Sequence, residues 1–102
     1  MVSLEVTQGL QNQTTDEQIV YSITTTNWGS DPSSVSVKAY NVSGNADVTA
    51  AVFPTNSPSV ADDVITLSPL KSLVKGNTYR IEIKFTSGDN IFECYFLVQC
   101  NG

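Results

Sequence analysis

A chain of 102 residues with ten acidic and five basic side chains carries a formal charge of −5, a field that repels phosphate backbones and anionic lipid heads and so argues against nucleic-acid and membrane partners. The length buries roughly 60–65% of the unfolded surface in one core and leaves too little for a second, so residues 1–102 are read as a single domain. Thr, Ser, Asn and Val favour strands over helices. With no histidine anywhere, every Ser-His-Asp and Cys-His arrangement and every histidine metal site is excluded.

Alternation at period two recurs along the chain, and helical periodicity is almost nowhere to be found. The start, Met1 to Glu5, has no basic residue, and no apolar run approaches the ~18 residues of a membrane span. The expectation is a product made without a secretory leader, which stays in the cell or leaves by lysis. Val2, Leu4 and Val6 share one side of a first strand. The polar run "QGLQNQTTDEQ" then reads as a connection, and "IVYSITTT" as a second strand with Ile19, Tyr21 and Ile23 on one side. A turn cluster, "NWGSDPSS", leads to a third strand, "VSVKAY", with Val35, Val37 and Ala39 in register. Trp28 lies in that cluster. It either caps one end of the core or serves as a contact residue, as amphipathic aromatics at loop ends often do.

Residues 41–67 read as short β-like pieces broken at Gly44, Pro54 and Pro58, which belong at sheet edges or in connections because proline cannot donate to a ladder. The last good piece is Val64 to Leu67. Asp62-Asp63, with loop carbonyls, is the candidate calcium site of this region, although adjacent aspartates in a surface loop are ordinarily just solvated. Asn12-Gln13-Thr14 and Asn41-Val42-Ser43 are formal glycosylation sequons, expected to stay bare without secretion.

The most informative stretch is "GNTYRIEIKFTSGDNIFECYFLVQC", Gly76 to Cys100. Gly88-Asp89 suits a hairpin whose first central residue needs positive φ. Pairing outward from it sets Phe85 opposite Phe92, Ile83 opposite Cys94, Ile81 opposite Phe96 and Tyr79 opposite Val98, all apolar or aromatic. The other side pairs Thr86 with Ile91, Lys84 with Glu93 as a cross-strand ion pair, Glu82 with Tyr95, and Arg80 with Leu97. A slip of one residue would turn the charges inward, so the register is strongly specified. Cys94 and Cys100, ~20 Å apart on one extended strand, cannot bridge each other and read as small buried hydrophobes.

One apolar sheet face must be covered by a second layer. About seven short strands with turn signals every eight to twelve residues predict an all-β, immunoglobulin-like antiparallel two-sheet sandwich. Leu70, Leu73 and Gly76 lead into Tyr79, placed where such sandwiches carry a corner tyrosine whose hydroxyl returns to nearby backbone. On the outward side, Ile91, Tyr95 and Leu97 line up along one strand, to be covered either by the N-terminal connection or by another chain. Lys71, Lys75, Arg80 and Lys84 read either as an ordinary solvated strand face or as a local basic strip, of which Lys84 is a candidate contact.

The second half, from "DVTAAVFPTNSPSV" through the final hairpin, with its Leu-x-x-Leu-x-x-Gly-x-x-Tyr motif (Leu70, Leu73, Gly76, Tyr79), resembles small immunoglobulin-like proteins encoded among the structural genes of tailed bacteriophages and prophages. The resemblance covers about half of the chain. It implies a virion component without catalytic residues, metal or cofactor. The expected function is non-enzymatic: decoration of the capsid or a place at the head-tail junction, by docking on the major capsid protein, a neck protein or itself. Trp28, Lys84, Ile91, Tyr95 and Leu97 are the candidate contacts. The alternative is a carbohydrate- or calcium-binding module of adhesion type, for which Trp28 near Asp31 and the Asp62-Asp63 pair are the features.

Overall fold

Gly88 has φ +59°, the left-handed conformation required at the first central position of a two-residue hairpin turn, and two long strands run back from it. The computed structural model describes residues 3–25 and 32–101. Its strands are β1 (Ser3–Gln13), β2 (Ser22–Thr24), β3 (Ser33–Asn41), β4 (Ala46–Asp47), β5 (Ser59–Ala61), β6 (Val64–Thr66), β7 (Thr78–Ser87) and β8 (Asn90–Cys100), with one helical turn, α1 (Thr49–Val52), between β4 and β5. The β7–β8 register runs from Ser87 opposite Asn90 to Thr78 opposite Gln99, with Phe85 facing Phe92 and Ile81 facing Phe96. It is the register that the turn and the alternation dictate.

The strands form two sheets, one ordered β1-β8-β7-β3-β4 and the other β2-β6-β5. Lettered in immunoglobulin fashion, the second sheet is B-E-D and the first carries C, F and G side by side, which is the topology of that sandwich. The described residues hold eight strands, β4 being only two residues long. One pair departs from the antiparallel expectation: β1 runs parallel to β8. First and last strands of a chain can pair in parallel because the whole domain serves as the crossover.

Of the polar run read as a connection, Gln8 to Gln13 belong to β1, and Thr14 to Gln18 do connect onward. Ser3 to Glu5 pair with Glu93 to Tyr95, and after a register shift Leu10 to Gln13 pair with Leu97 to Cys100. Gln13 is 1% exposed, and burial of an amide is tolerable only when it is bonded. Its side chain donates to the carbonyls of Leu70 (2.8 Å) and Glu17 (3.1 Å) and accepts from the Tyr21 hydroxyl (3.0 Å). Strand periodicity in "IVYSITTT" shrinks to Ser22–Thr24, while Ile19 makes an isolated bridge to Leu70.

The core lies between the sheets. Ile81, Ile83, Phe85, Cys94, Phe96 and Val98 from the β7–β8 ribbon, with Val37 and Ala39 from β3, meet Ile23, Ile65 and Leu67 from the opposite layer. Antibody domains place a cysteine two residues after the corner tyrosine; here that position is Ile81, fully buried, so aliphatic packing stands in for a bridge. The segment read as broken β pieces contains α1, whose first residue Thr49 is held by the Asp47 carboxylate through its N–H (3.0 Å) and hydroxyl (2.7 Å). That local Asx-type turn leads into a helical turn whose N-cap, Val48, makes no side-chain cap hydrogen bond, and the turn places Val52 and Phe53 in the core.

Candidate functional site

The corner is built from the residues that lead into β7. Leu70 and Leu73 are buried, Gly76 turns with φ +91°, and its N–H donates to the Cys100 carbonyl. Tyr79 is 2% exposed, and its hydroxyl accepts a hydrogen bond of 2.8 Å from the Val74 N–H. This clamps the crossing between sheets to the start of β7. It is a structural device.

The remaining candidates fall on the outer side of the five-stranded sheet. Strand alternation sends Ser36, Lys38 and Tyr40 of β3, Arg80, Glu82 and Lys84 of β7, and Glu93, Tyr95 and Leu97 of β8 to this side, and the pairings align them in rows. Lys84 lies between Ser36 and Glu93, Glu82 between Lys38 and Tyr95, and Arg80 between Tyr40 and Leu97. Two shallow depressions result. One, of about 180 Å³, is lined by Ser36, Lys38, Tyr40, Glu82, Lys84 and Glu93. The other, of about 410 Å³, is lined by Val42, Arg80, Glu82, Tyr95 and Leu97.

Arg80 organises the lower half of the face. Its guanidinium bonds the Glu82 carboxylate at 2.7 Å, donates to the Asn45 side-chain oxygen at 2.8 Å and sits 5.2 Å from the Tyr40 ring centroid. This arrangement alters the expected electrostatics. Among the described residues the ion pair of this face is Arg80–Glu82, and Lys84 and Glu93, although register partners, form none. A glutamate two residues along the same strand already faces the same way, and Arg80 reaches it with its planar fork.

Of the predicted contacts, Lys84, Ile91, Tyr95 and Leu97 share this outer side, with Lys84 exposed, Ile91 49% exposed, and Tyr95 and Leu97 half-buried. Trp28 lies outside the described residues, as does Asp31. The basic strip divides: Arg80 and Lys84 are joined by Lys38 of β3, while Lys71 and Lys75 sit on the corner segment before β7. β1 continues the sheet edgewise beside β8, with Glu5 opposite Tyr95 and Leu10 opposite Leu97. Its pairing begins at Glu93, short of Ile91. Lys38, Tyr40 and Val42 were missed as members of this face because β3 is a distant segment. Its alternation alone puts Lys38 and Tyr40 opposite Val37 and Ala39, but only the strand order sets them beside β7.

The titratable groups with clearly shifted protonation are Cys94, Tyr21 and Asp47 among the described residues. Burial, with a smaller contribution from the Glu93 charge, pushes the Cys94 thiol up to about 12, which removes it as a nucleophile near neutral pH. Burial and then the Glu17 charge raise the Tyr21 hydroxyl above its ordinary value. The Thr49 hydroxyl, and after it the Thr49 N–H, hold Asp47 below the ordinary carboxylate range. Asp62 and Asp63 form the two-residue turn between β5 and β6, Asp62 adopting φ +53°, a conformation aspartate tolerates. Among the described residues no three acidic or cysteine side chains gather where they could hold a metal ion. No protein-family model matches the chain, and no curated protein matches it.

Proposed function

We propose that this protein is a non-enzymatic assembly component of a tailed-phage virion, decorating the capsid or sitting at the head-tail junction, and that it works by protein docking through the outer side of its five-stranded sheet. The observation that carries the docking reading is the composition of that side. Half-buried Tyr95 and Leu97 and exposed Ile91 stand in line beside uncommitted Lys84, and an apolar strip rimmed by charge is the anatomy of a protein contact. The virion setting draws its support from the resemblance of the second half of the chain, and the shielded thiols and the bonded carboxylates accord with a role outside catalysis.

Quantitative mass spectrometry of purified particles tests it. A copy number comparable to that of the major capsid protein is the result for decoration of the shell, and a small fixed number is the result for the neck or tail. Absence from particles, with the protein abundant in the lysate, sinks the proposal.

A further inference from the structure

Resting on the docking reading of the outer face, we propose that its occupant is a second copy of this chain, in a symmetric pair whose two-fold axis runs along the strands between β7 and β8. The first ground is a charge pattern that the monomer leaves incomplete. Lys84 and Glu93 stand opposite each other on adjacent strands and the same side. Among the described residues neither enters an ion pair, since the pair on this face is Arg80–Glu82. A half-turn about an axis parallel to the strands, above the outer face and midway between β7 and β8, lays each β7 over the partner's β8. Lys84 then meets the partner's Glu93, and Glu93 meets the partner's Lys84, so one unpaired couple becomes two ion pairs.

The neighbouring rows fit the same operation. Glu82 comes opposite the partner's Tyr95, whose phenolic O–H is a donor for a carboxylate. Arg80 comes opposite the partner's Leu97, and the methylene stem of arginine is an apolar surface for it. The depression lined by Val42, Arg80, Glu82, Tyr95 and Leu97 receives these side chains. Sheets stacked face to face cross at about 30°, so the match is closest around the point where the strands cross, and a crossing centred on the two middle rows brings Lys84, Glu93, Glu82 and Tyr95 into register. In an isologous contact each of these interactions occurs twice.

The second ground is the overall charge. Two molecules of −5 repel each other, and they do so least through a neutral surface. Counting Asp47 on β4 beside Tyr40, the described side chains of this face carry three cations (Lys38, Arg80, Lys84) and three carboxylates (Asp47, Glu82, Glu93). Further carboxylates of the chain lie on turns away from these rows, such as Asp16-Glu17 and Asp62-Asp63. A second copy approaching this side meets alternating charges in place of a like-signed field.

Sedimentation equilibrium of the purified full-length chain reads the association directly, with circular dichroism to verify that each variant is folded. The wild type is expected to dimerise. K84E and E93K each place like charges across the axis and are expected to weaken dimerisation by at least about tenfold. The double swap K84E/E93K restores both cross-axis pairs and returns the dissociation constant to within about threefold of wild type. A wild type that stays monomeric, single reversals without effect, or a swap that fails to restore association each overturns the symmetric pair. A chain monomeric in solution yet present in purified particles would overturn the pair and leave the virion proposal intact; a dimer absent from particles would do the reverse.

Discussion

The two sides of the β7–β8 ribbon share a backbone, a turn and a register, yet they obey different rules. Inward, Tyr79, Ile81, Ile83, Phe85, Cys94, Phe96 and Val98 are all buried, because every position faces the second sheet and a polar substitute there would have no partner. Outward, Arg80, Glu82, Lys84, Glu93, Tyr95 and Leu97 mix charge with half-buried apolar surface. The inner side determines that the chain folds. The outer side is free of that constraint. The sharpest way to break the contrast is Ile81→Ala, which removes a fully buried side chain from the centre of the inner row. It is expected to cost about 2–5 kcal/mol, read as a lowered midpoint in urea unfolding, and a loss under 1 kcal/mol, about the cost of a surface change, would mean that the core collapses around the cavity.

A smaller effect belongs to the hydroxyl that ties the inner row to the sheet crossing. Tyr79→Phe keeps the ring in the core and deletes only the acceptor of the Val74 N–H. A lost hydrogen bond of this kind costs about 1 kcal/mol, and because Val74 itself is exposed, water can reach its freed N–H and keep the cost near that figure. Thermal and urea unfolding of the variant measure it. No loss at all would remove the tyrosine from its role as a clamp and leave its ring as the sole contribution.

How much of this could be read from the sequence differed from segment to segment, for a physical reason. The β7–β8 register followed from Gly88-Asp89 because a two-residue turn pins both strands, and the alternation beyond it admits no slip. Tyr79 was locatable because its leucines and glycine precede it at short range. β1 was misjudged after Val6: a register shift breaks its alternation between Glu5 and Leu10, and buried Gln13 looks polar until its three partners, two of them near in sequence and one at Leu70, are brought together. α1 was missed because four residues hold no periodicity, and the side-chain bonds that precede it, from Thr49 to Asp47, are local and short-range. The outer face was half visible. Lys84, Ile91, Tyr95 and Leu97 share one hairpin, whereas Lys38 and Tyr40 join them only through β3–β7 pairing, in which Ser34, at φ +52°, lies within a register shift.

Leu97→Ser is the gentlest change and the one that separates the two sides most cleanly. Leu97 is half-buried, beside Arg80 on β7 and Leu10 on β1, so part of its surface is already out of water in the monomer. Serine there forfeits that part, and the expected loss of stability is under about 1 kcal/mol. The remaining, exposed part of Leu97 contributes only when another molecule covers it. Association measured by sedimentation should therefore weaken more than unfolding does, the reverse of the pattern for Ile81→Ala. Unfolding as severe as that of Ile81→Ala would instead place Leu97 in the core under β1, and the apolar strip would then shrink to Ile91 and Tyr95, too little to support a contact on this side.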